Sequence, residues 1–270
     1  MFLWMATVLV SPSAAFAQAG SPATVAEFLA QGKRQLADKQ YDDARQSCEQ
    51  ALAIDPNNVD VKLLLSDTDL QRWMRTRGGP DREKVYFEAR NVLLSVLERE
   101  PDNKKALRRI AQLSFIGRDS APGQDTAGWL SEARRWNLRL IEVDPNDSGA
   151  HFALGVLAWT KCAALDANLR SKAGMTATAD GPIPDEKIRT SFAEACRASV
   201  EEGTAQVKQA LELKPGDAMY MRYLALMLRF RSDYAATPDA ARPDIELAHQ
   251  MESKADELNP RGNLLGHPAQ

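Results

Sequence analysis

Histidine and cysteine are scarce in this chain, with three of each among 270 residues. His151, His249 and His267 fall in no recognisable ligand spacing, so neither a metal site nor any other cofactor is expected. Nucleophile elbows, zinc-binding HExxH helices, dinucleotide GxGxxG turns and phosphate-binding GxxxxGK loops are also missing. Adjacent acidic pairs such as Asp42-Asp43 and Glu201-Glu202 read as solvated helix faces rather than acid/base machinery. The chain is therefore expected not to be an enzyme. A basic surplus is absent too: 34 Lys and Arg stand against 37 Asp and Glu, for a net charge of −3, which argues against a nucleic-acid partner. Fifteen glycines and 14 prolines are too few for a collagenous or low-complexity chain. No apolar run approaches the roughly 20 residues that span a bilayer, so no integral membrane segment is expected in the mature chain. What remains is 44% hydrophobic and 26% charged, enough apolar side chain for a real core.

The first ten residues, Met1 to Val10, form a short apolar run without Lys or Arg before it, and Ala15-Phe16-Ala17 follows as an A-x-A processing site. The expectation is a signal peptide over residues 1–17, cleavage after Ala17 and export to a periplasmic or extracellular space. No cysteine follows the run, so lipid attachment is not expected there.

Internal periodicity dominates the rest. Helix-ending prolines recur in similar company at Asp55-Pro56, Glu100-Pro101, Asp144-Pro145, Lys214-Pro215 and Asn259-Pro260, at intervals of 45, 44, 70 and 45 residues. In the first unit Gly32 and Ala44 are small enough to let two antiparallel helices approach, Tyr41 would plug the gap between them, and Ala51 would pack against the next unit. Ser66, Ala111, Gly155 and Ala225 repeat the role of Gly32, while Ala89, Ala133, Ala210 and Ala255 precede the later prolines. No stretch alternates as a strand does. First helices are predicted over Val59–Arg75, Asn103–Ile116, Ser148 to about Lys172, and Asp217–Tyr234.

The run Phe28-Leu-Ala-Gln-Gly32, Gln40-Tyr41-Asp-Asp-Ala44, Cys48 and Ala51-Leu-Ala-Ile-Asp55-Pro56 resembles a tetratricopeptide repeat position for position. The resemblance implies an all-α fold, a right-handed superhelical array of about five antiparallel helix pairs. Residues 18–270 form one domain on this reading, with repeats at about 25–58, 59–103, 104–147, 148–217 and 218–262. Three units exceed the family's length by about ten residues, which longer helices closed by Gly/Pro turns would absorb. The fourth carries far more, with residues 174–184 as the loop between two unusually long helices.

Within that fourth hairpin Gly155 and Gly203 set the register of the two helices. Cys162 and Cys196 each lie seven residues from their glycine, toward the loop, which returns both to nearly the same face. They should face each other, either joined in a disulfide if the chain is exported or packed as two small apolar thiols. Cys48 is expected in the core.

Arrays of this family bind proteins or peptides on the concave surface lined by their first helices. Carried over by register, the partner-binding residues would be Lys33, Lys105, Arg108, Arg109, Phe115, Phe152, Trp159, Arg222 and Arg229. Such a mixture suits a segment with acidic and apolar side chains. Some family members clamp a peptide's terminal carboxylate. Lys105 and Arg109 match the basic pair of that clamp, but Lys33 and Leu64 stand where it uses asparagines. Phe115, Trp159 and Phe230 also read as core filler. The alternative to groove binding is a structural subunit of an envelope or secretion assembly that uses convex or edge surfaces.

Overall fold

In the computed structural model the described residues are 24–76, 80–117, 126–176 and 179–259. The expected leader, the segments 77–79 and 118–125 where Gly/Pro turns are expected, and His267 lie outside them. Among the described residues ten helices follow in order: α1 (Val25–Ala37), α2 (Tyr41–Ile54), α3 (Val59–Arg75), α4 (Pro80–Leu97), α5 (Lys104–Gly117), α6 (Thr126–Val143), α7 (Ser148–Lys172), α8 (Glu186–Leu213), α9 (Ala218–Asp233) and α10 (Pro238–Leu258). Each odd-numbered helix packs most extensively on the even-numbered helix that follows it, and neighbouring hairpins stack through α2 on α3, α4 on α5, α6 on α7 and α8 on α9. The architecture is an all-α solenoid.

The recurring proline marks where a helix stops, and the second residue after it starts the next one. Asn58, Asn103, Asp147 and Asp217 each accept a backbone N–H from the first turn of the helix they precede: Val61 at 3.2 Å, Ala106 at 3.0 Å, Ala150 at 2.9 Å and Tyr220 at 3.2 Å. A cap of this kind contributes about 1 kcal/mol, so each proline junction is a stop and a start in three residues. Thr24 and Glu27 form a reciprocal capping box on α1.

Small residues set the hairpin spacing as the repeat pattern predicts. Ala44, Ala51, Ala133, Ala210, Ala225 and Ala255 are fully buried. A Cβ on Gly32 would lie 3.1 Å from Leu64 Cδ2 and 3.5 Å from the Ala44 carbonyl oxygen. Tyr41 departs from expectation. It sits half-buried at the start of α2 with the Arg75 guanidinium 4.6 Å from its ring centroid, a cation–π contact rather than a plug between helices. Longer helices absorb the surplus length of the second unit, whose 17 and 18 residues compare with 13 and 14 in the first.

The fourth hairpin pairs helices of 25 and 28 residues. Cys162 and Cys196 are joined in a disulfide with Cα atoms 6.0 Å apart, among Phe192, Val200, Met227 and Phe230. Its loop turns at Gly174 and Gly181, both with positive φ, and seats a fully buried Ile183 against the same cluster. Cys48 is free and fully buried.

Candidate functional site

Along the first-helix side of the array α1 packs on α3, α3 on α5 and α7 on α9, but α5 and α7 make no comparable contact. Small residues face the gap, Ala111 from α5 and Gly149, Ala150 and Ala153 from α7, and leave a cavity of about 320 Å³. Phe115, Leu140, Phe152, Val156 and Leu157 give it apolar walls, with Arg108 and Gln112 at its polar margin. The volume is in the range of a small-ligand site and suits one large side chain of a bound segment.

Arg108 is half-exposed and bonds through Nε (3.2 Å) and Nη2 to Asp147 Oδ2, while Asp147 Oδ1 caps α7. A buried carboxylate therefore tethers the guanidinium across the α5–α7 gap and leaves the rest of its donor fork at the mouth. Phe152 is held from the other side. It stacks on Tyr220 at 4.4 Å between centroids and meets Tyr223 edge-on at 5.1 Å, and Tyr223 in turn meets Trp159 at 5.8 Å. An aromatic strip thus runs from the cavity across α7 to α9, with orientations fixed before any ligand arrives.

The tetratricopeptide-repeat family model matches residues 35–72. No curated protein matches the chain in sequence. Among solved structures, the crystal structure of MamA protein superposes with a TM-score of 0.55 at 13% identity, covering 89% of this chain and 97% of that one. MamA 41-end from Desulfovibrio magneticus RS-1 gives 0.55 at 14% identity, with 88% and 97% covered. YrrB, described as a TPR protein with an unusual peptide-binding site, gives 0.50 at 14%, with 87% and 86% covered. The fold is a tetratricopeptide-like α-solenoid. Solenoids of this kind work as binding scaffolds through the extended surface their stacked hairpins create. Among the described residues no group of three or more His, Cys, Asp or Glu could hold a metal ion.

The solenoid brings only some of the register-derived candidates together. Arg108, Phe115 and Phe152 meet at the cavity, and Trp159 joins through the aromatic strip. Lys33 and Lys105 are exposed on α1 and α5, away from it. The other arginines already have carboxylate partners. Arg109 grips Asp67 with two bonds of 2.5 Å. Arg222 bonds Asp256 at 2.6 Å and the Asn259 carbonyl oxygen at 2.9 Å. Arg229 holds Glu252 at 3.1 and 2.9 Å and reaches Asp180 in the α7–α8 loop. Arg108 is paired in the same way, with Asp147, but it is the one of these four arginines that lines the apolar cavity.

Asp147 is the functional neighbour that register alone does not indicate. Its place two residues after Pro145 marks it as a cap, and nothing in the local sequence pairs it with Arg108, 39 positions earlier.

Proposed function

We propose that this scaffold holds a protein or peptide segment along its first-helix surface, with one large apolar side chain seated between α5 and α7 and an acidic neighbour facing Arg108. The observation that carries the reading is the cavity, because it forms where the array's first helices part and is walled by Phe115 and Phe152 under a tethered guanidinium. The absence of a packed α5–α7 contact is consistent with a partner supplying the missing side chain. A peptide-binding site is described for YrrB, a protein of similar fold.

The same reading places the protein outside the cytoplasm. The apolar leader with its Ala15-Phe16-Ala17 site supports export, and a Cys162–Cys196 disulfide persists best in an oxidising compartment. Sequencing the mature N-terminus tests this part, with Gln18 as the expected first residue.

For the groove, peptides selected on the mature protein from a random displayed library are expected to carry a Leu, Phe or Met beside an acidic residue. Ala153→Trp fills the cavity from a half-buried position and should weaken those peptides at least about tenfold, the equivalent of 1.4 kcal/mol. Selected peptides that bind Ala153→Trp and Phe152→Ala as well as the native chain would place the site elsewhere.

A further inference from the structure

We propose that Asp166 and Asp233 share one proton, and that this shared proton latches the α7–α8 loop, through residues 173–176 and 179–185, onto the end of α9. Asp166 and Arg170 lie one turn apart near the end of α7, and Asp233 is the last residue of α9. All three are more than nine-tenths buried, at 8%, 6% and 1% exposure. Arg170 pairs with Asp233 through Nη1 and donates from Nη2 to the Thr176 carbonyl at 3.1 Å and the Ala179 carbonyl at 2.5 Å. The Asp233 carbonyl accepts the Ile183 N–H at 3.0 Å. Both halves of the loop therefore hang on these two side chains and one backbone group, and Ile183 closes over Phe192, Phe230 and Tyr234.

The charge balance demands a proton. Two buried carboxyl groups share one guanidinium, Asp233 bonded to Arg170 and Asp166 one turn before it on α7, and Asp166 Oδ1 and Asp233 Oδ2 are both buried without a donor. Ionised carboxylates can only accept, so one proton between them satisfies both orphaned oxygens and leaves a single negative charge against Arg170. Charged groups further out are matched among themselves. From α9 and α10, Arg229 and His249 hold Asp180 of the loop, Arg229 also pairs with Glu252, and Arg231 pairs with Asp244. From α8, Glu201 accepts from Tyr234, Arg197 lies over the Tyr234 ring, and Arg189 donates to the Ile183 carbonyl.

Burial first, and then the charge of Asp166, pushes the Asp233 carboxyl up to about 8, and burial likewise raises Asp166. In the unfolded chain both groups ionise near the ordinary value of about 4. Stability contributed by the protonated latch is thus full below about pH 4, declines as the pH rises, and is lost above about pH 8. There a second negative charge enters a site with one guanidinium and the loop lets go, uncovering the apolar cluster, while the Cys162–Cys196 bond keeps α7 and α8 together.

Asp166→Asn replaces the shared proton with a permanent amide donor. Hydrogen exchange of the amides in 173–176 and 179–185, taken as the ratio of native to Asp166→Asn at each pH so that the intrinsic chemistry cancels, should rise at least about tenfold between pH 6 and pH 9. A ratio that does not change with pH overturns the proposal. Asp233→Asn, which keeps an oxygen for Arg170, serves if Asp166→Asn fails to fold. The native protein supplies an independent check: an infrared band of a buried, protonated carboxyl should be present at pH 6 and gone above pH 9, and its absence at pH 6 refutes the shared proton.

Discussion

Gly155 of α7 and Gly203 of α8 meet backbone to backbone. A Cβ built on Gly203 would lie 3.7 Å from the Gly155 Cα and 2.5 Å from the Ala158 Cβ, and one on Gly155 would fall 2.1 Å from Val207 Cγ2. This contact sets how closely the two longest helices run, and two turns further along it brings Cys162 within bonding reach of Cys196.

Alanine at Gly155 or Gly203 should therefore destabilise the protein by about 1–3 kcal/mol, since each methyl must push the helices apart or force Val207, Ala158 or Met227 to move. Gly216→Ala, where the added Cβ meets nothing within 4 Å, is the control and should be close to neutral on that account. Chemical denaturation of the three variants compares them directly.

The disulfide bridges a sequence separation of 34 residues. Replacing both cysteines with serine is expected to cost about 2–4 kcal/mol. A reductant should lower the Tm of the native chain and leave the double variant unchanged, and equal sensitivity of the two would show that the bond contributes nothing.

Cys48 is fully buried, and burial pushes its thiol up to about 12. The reactive thiolate is thus suppressed at neutral pH. Thiol titration of the non-reduced protein should find no reactive group in the native state and one in denaturant. Rapid native labelling would mean that the first hairpin opens.

Gly181 sits at φ +104 in the latched loop, and a Cβ there would touch nothing. Gly181→Ala isolates backbone strain from crowding and should cost about 1–3 kcal/mol. The loss should appear as faster amide exchange over residues 173–185 rather than across α1 to α4.

Much of this was open to a sequence reading. The proline junctions located α3 and α7 to the residue, because a helix stop and an Asn or Asp cap are local chemistry. Equal spacing from Gly155 and Gly203 paired the cysteines, because antiparallel helices in contact keep a constant register. Arg108, Phe115 and Phe152, each taken from the repeat register, line one cavity. The pairing of Arg109, Arg222 and Arg229 did not show in advance, because their partners lie 23 to 49 positions away and are fixed by side-chain reach across helices. The buried cluster was equally silent. Asp166 and Arg170 look like an ordinary one-turn pair until α9 delivers Asp233 beside them, 63 positions beyond Arg170.

By itself, then, the order of residues determined the helical hairpins, their small-residue contacts and the facing cysteines, since each follows from helix periodicity and from where a chain can stop and restart. Only the tertiary structure decided which carboxylate each arginine meets, where the array opens a cavity, and which carboxyls must hold a proton. Those properties depend on distance and burial between groups remote in sequence, which no local pattern encodes.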